Sequence, residues 1–150
     1  MRVFSTLDEV SAATGEELGT SDWLEIDQDR VNRFADATGD HQWIHVDIDR
    51  SKDGPFGGTI AHGYLTLSLV PFLGSQVLRF ETPGAKLNYG TNKVRFPHPV
   101  LVGKRIRAHV ALSDVADLPK GKQATLRYTI EIEGEAKPAC VAETVVLLLP

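Results

Sequence analysis

From Ile106 to Ile132 the chain alternates between apolar and polar residues. Ile106, Ala108, Val110 and Leu112 share one face, and beyond Pro119-Lys120-Gly121 so do Leu126, Tyr128, Ile130 and Ile132. A period of two puts successive side chains on opposite sides of an extended backbone, so these residues predict two long antiparallel strands joined by a turn. Val94 and Phe96 begin the series and ACVAETVVLLL ends it, which predicts a sheet of at least four strands. Such a sheet must bury its apolar face against another element. The segment from Tyr64 to Leu78, YLTLSLVPFLGSQVL, is apolar on nearly every side. That predicts a helix enclosed by the protein, kinked or split at Pro71 where a backbone donor is lost. The two patterns together predict an α+β chain: one domain over residues 1–150, with an antiparallel sheet wrapped around a long buried apolar helix.

The segments before that helix are shorter. Thr6-Leu7-Asp8-Glu9 reads as a capping box opening a helix, and Trp23 to Ile26 as a short strand. Asp27 is placed to cap a helix carrying Val31, Phe34 and Ala35 on one face, and Gly39 to end it in a left-handed conformation. From Ser51 to Gly63 the chain reads as loop, with Gly54, Pro55, Gly57 and Gly58.

Composition excludes several classes of function. The net charge is −4 and no run of Lys or Arg occurs, so there is no basic footprint for nucleic acid. The first residues have no apolar targeting core, and Pro71, Gly74, Glu143 and Thr144 break the apolar stretches well short of a membrane span. The expectation is a cytoplasmic protein without a membrane partner. Cys140 is the single cysteine, has no partner for an internal disulfide, and lies in an apolar run that favours a packed thiol. Asp47 to Asp53 begins like a calcium loop but has Lys52 where glycine is required and Gly58 where glutamate is required. No nucleotide-binding glycine motif follows a strand, and His41 and His45 lie in a β-branched and aromatic stretch rather than on a clear helix, so no metal site is expected.

Reactive groups concentrate in two places. In Thr38-Gly-Asp-His-Gln-Trp-Ile-His45 a turn brings Asp40 towards His45, and a carboxylate beside an imidazole moves protons near neutral pH. The same residues also fit a solvated turn aspartate and a packed histidine. Pro55 to Gly63 leads into the buried helix, whose first N–H groups could hold negative charge developing on an oxygen, with Gly63 allowing close approach. His62 reads as structural, since its neighbour explains the site without it. Lys93, Arg95, Lys104, Arg105 and Arg107 fit phosphate contacts or a solvated strand face equally, and none is singled out.

The run Phe34-Ala-Asp-Ala-Thr-Gly-Asp-His-Gln-Trp-Ile-His45, with Ser51 six residues further on, resembles the signature of the MaoC-like, R-specific enoyl-CoA hydratases. Gly58-Thr-Ile-Ala-His-Gly63 and Tyr89 to Val100 are similar to the same family, although Gln42-Trp43 stands where the family usually has Asn-Pro. The resemblance implies a hot-dog fold, a homodimer with acyl tunnels near its interface, and hydration of trans-2-enoyl-CoA to the R-3-hydroxyacyl-CoA. It implies Asp40 and His45 as the catalytic pair, Gly63 N–H as the donor to the thioester carbonyl, and no cofactor beyond the coenzyme A of the substrate. Two other activities use the same framework: a 3-hydroxyacyl thioester dehydratase of fatty acid synthesis, and a non-catalytic acyl-thioester-binding subunit.

Overall fold

The computed structural model describes residues 1–150. Its elements in chain order are β1 (Arg2–Phe4), α1 (Leu7–Ala12), β2 (Glu17–Thr20), β3 (Leu24–Glu25), α2 (Gln28–Thr38), α3 (Trp43–Val46) and α4 (Ile48–Lys52). There follow α5 (Gly63–Ser68), α6 (Val70–Gly74), β4 (Leu78–Phe80), β5 (Lys86–Arg95), β6 (Arg105–Asp117), β7 (Lys122–Ile132) and β8 (Cys140–Leu148). The main sheet has six antiparallel strands in the order β2-β6-β7-β8-β5, with β3 also paired to β6, while β1 and β4 form a separate parallel pair.

The alternation sets the inner face of this sheet. Ile106, Val110, Leu112, Leu126, Tyr128, Ile130 and Ile132 are all buried and pack with Leu65, Leu69, Val70 and Leu73 of α5 and α6. Fully burying an aliphatic side chain of this size contributes about 1.5–3 kcal/mol, so sheet and helix form one core. Cys140 belongs to it, and burial pushes its thiol up to about 11. Gly121, at φ +95°, closes the turn from β6 to β7 in a conformation other residues rarely adopt.

Thr6 accepts from Glu9 N while the Glu9 side chain accepts from the Thr6 backbone, the capping box expected for α1. Asp27 accepts from Arg30 N, and Gly39 ends α2 at φ +81°. The helix after Gly63 is divided as Pro71 requires, with Leu69 between α5 and α6.

Four expectations need correction. The central helix is not enclosed on every side: Tyr64 is 69% exposed and Phe72 51%, so the stripe Tyr64, Ser68, Phe72 faces outward. The β5 strand begins at Lys86, well before Val94, and Phe96 lies beyond its end. Ser51 belongs to the helical turn α4 rather than to a loop, its hydroxyl donating to the Trp43 carbonyl at 3.1 Å. His45 sits on the short helix α3, where local hydrogen bonding outweighs the β preference of Trp43, Ile44 and Val46.

Candidate active site

The left-handed Gly39 turns the chain out of α2, and the backbone re-enters a helical turn at α3. Asp40 therefore stands exposed at the mouth of the turn while His45 points inward and is buried. The Asp40 Oδ1 accepts from Gln42 N at 3.3 Å. Gln28 of α2 braces the turn from below, donating to the His45 carbonyl at 2.8 Å and accepting from the Thr59 hydroxyl at 2.6 Å.

His45 Nδ1 is 2.7 Å from the Ile60 carbonyl, which can only accept. The proton therefore lies on Nδ1 and Nε2 keeps its lone pair. Burial pushes the His45 pKa below the usual histidine value, with the Ile60 hydrogen bond and the Asp40 charge pulling the other way and His62 adding to the depression. The ring is thus a neutral base near pH 7.

His62, expected to be structural, lies in the site itself. Its ring stacks on His45 with centroids 3.9 Å apart and planes 23° apart, and it is 2% exposed. Ligand-type atoms of Asp40, His45 and His62 all lie within 4.8 Å of one another. Two of the four imidazole nitrogens face backbone carbonyls: His45 Nδ1 that of Ile60 and His62 Nε2 that of Asp40.

A cavity of about 290 Å³ opens beside His45, lined also by Phe56, Gly63, Thr66, Phe96 and His98 among others. Gly63 is the first residue of α5, where backbone N–H groups have no partner within the helix. A Cβ at Gly63 would stand 3.0 Å from Phe96 Cδ2, a tight approach that requires the ring to give by a few tenths of an ångström. A second cavity of about 230 Å³ lies between α5–α6 and the β5 side of the sheet, lined by Leu67, Val70, Pro71, Tyr128 and Val146 among others. The cationic candidates lie elsewhere. Arg105 and Arg107 pair with Glu133 and Glu131 and cover Trp23, while Lys93 and Arg95 line a separate cavity of about 320 Å³ with Arg127 and Glu143.

An antiparallel sheet wrapped on a central helix, with a cavity at that helix's start, defines a hot-dog protein. The model of the MaoC like domain matches residues 9–133, and the chain belongs to that family. It is 56% identical over 147 residues to 3-hydroxyacyl-thioester dehydratase Z of Mycobacterium tuberculosis, covering 97% of each chain. It is 31% identical to 3-hydroxybutyryl-CoA dehydratase of Methylorubrum extorquens, over 79% of this chain and 73% of that one. Among solved structures, the (R)-hydratase from A. caviae involved in PHA biosynthesis superposes with a TM-score of 0.73 at 28% identity, covering 90% of this chain and 97% of the other.

Proposed function

We propose that this chain is a hydro-lyase acting on 3-hydroxyacyl thioesters, removing water across carbons 2 and 3 and running reversibly from the trans-2-enoyl side. One observation carries the proposal: Asp40 and a neutral, tautomer-fixed His45 within 4.8 Å of each other beside a cavity that Gly63 lines. The dehydration direction takes precedence over the hydratase reading because the 56% identical relative is a 3-hydroxyacyl-thioester dehydratase.

In hydration, the separation of the pair suits one bridging water, which loses a proton to His45 Nε2 as its oxygen bonds to the β-carbon. The proton taken by His45 passes by way of the Asp40 carboxylate to the α-carbon, which restores both groups, so that H and OH are added in sum. Dehydration reverses each step. Negative charge that passes to the thioester oxygen is held by the Gly63 N–H.

A homodimer is part of the same proposal. In β5, Lys86 to Lys93 are exposed although ladder-paired to β8 on one side, leaving a long unpaired edge. A second copy would cover that edge. The test of function is to supply R- and S-3-hydroxyacyl-CoA of several chain lengths and trans-2-enoyl-CoA, without added metal, and identify the product. Interconversion confined to the R isomer is expected; an S product or a strict metal requirement would overturn the proposal.

A further inference from the structure

We infer that His62 is the positioning residue of this site, its single ring holding Asp40 through a backbone hydrogen bond and His45 through stacking. The inference rests on the reading of Asp40 and His45 as the proton carriers. His62 Nε2 is 3.0 Å from the Asp40 carbonyl, which accepts only, so the ring carries its proton on Nε2. Its Nδ1 is buried and has no hydrogen-bond partner, unlike almost all buried polar nitrogens. Phe34 of α2 also packs on the ring, centroids 4.9 Å apart and tilted by 59°, so the imidazole touches both Phe34 and His45. An unpaired nitrogen in that place is a cost that leucine or phenylalanine would avoid. It is retained for what the other nitrogen and the ring face do.

The turn from Gly39 to Gln42 carries the exposed Asp40, and the His62 hydrogen bond is a direct tie from that turn to the start of α5. The same tie runs from His62 to its neighbour Gly63, so acid, base and carbonyl donor share one rigid connection. The titratable groups facing His45 are Asp40 from the turn, His62 from the α5 start and His98 across the cavity. Of these, His62 and Asp40 act on the His45 ring in opposite senses.

Two substitutions separate the two duties. His62→Phe keeps the stack and loses the donor; His62→Gln keeps an amide donor and loses the stack. Each should lower kcat by about 10- to 100-fold, since misplacement of about 1 Å is enough for that. KM should change much less, because the substrate-lining residues are untouched. Long-range ¹H–¹⁵N spectra of the unaltered protein give a readout independent of variant folding: His62 protonated on Nε2 and His45 on Nδ1. Wild-type kcat in His62→Phe, or an Nδ1-protonated His62, would overturn the inference. Full turnover in Asp40→Asn would instead remove the reading on which it rests and leave the tautomer result standing.

Discussion

His45 donates from Nδ1 to the Ile60 carbonyl at 2.7 Å, and this bond leaves Nε2 as the ring nitrogen with a free lone pair. Because burial holds the His45 pKa below its ordinary value of 6.5, the active form persists below the usual histidine range. The acid limb of kcat/KM should therefore fall below pH 6.5, and His45→Gln should abolish it together with about 10²–10⁴ of the rate. A limb at or above pH 6.5 would contradict the burial argument.

The same depression makes stability depend on pH. Between the lowered folded value and 6.5 the unfolded chain binds more protons at this site, so stability rises with pH through that window. The His45 contribution is fully present above 6.5 and is lost on acidification through the window. Denaturant midpoints for the wild type should decline from pH 7 to pH 5 more steeply than those for His45→Gln, and parallel curves would refute this.

Gly63→Ala tests the carbonyl donor. Its Cβ would stand 3.0 Å from Phe96 Cδ2 and 3.1 Å from Cγ, so ring or helix start must give way. Loss of one such donor costs about 10²–10³ in kcat, which sets the upper bound for a displaced N–H. Adding Phe96→Ala should recover part of the loss by making room; no recovery would place the defect elsewhere.

Gly74→Ala should lower stability without touching the site. The added Cβ would lie 2.6 Å from Tyr128 Oη and 3.0 Å from its ring, inside the core. Overpacking of this kind costs about 1–3 kcal/mol, read as a fall in denaturant midpoint that Tyr128→Phe partly reverses.

For the β5 edge, light scattering of the wild type should report about twice the 16.4 kDa chain mass. Leu87→Lys, at a position 48% exposed on that strand, should shift the protein towards monomer. A wild-type monomer that turns over substrate would remove the dimer from the proposal.

Sheet and site differed in how much the sequence revealed. The alternation from Ile106 to Ile132 gave the strands because one face is buried against a single helix, and Pro71 gave the break in that helix. Asp40 and His45 were visible because only the short turn after Gly39 separates them. The placement of His62 against His45 was not legible because its contacts Asp40 and Phe34 lie 22 and 28 residues upstream, beyond the reach of local pattern. A histidine directly before a glycine helix start, in an otherwise apolar stretch, was the available signal. The outward stripe was also hidden: Tyr64, Ser68 and Phe72 are spaced by four, but two aromatics made that face read as apolar and hence buried.

The most direct test of the account is kcat for dehydration of R-3-hydroxyacyl-CoA by wild type and Asp40→Asn, with melting temperatures taken on the same preparations. Asparagine keeps size and hydrogen bonding at an exposed position but cannot exchange the carboxyl proton. The account predicts unchanged melting and a loss of about 10²–10⁴ in kcat, or about 3–5 kcal/mol of transition-state stabilisation. Wild-type kcat in Asp40→Asn would contradict it.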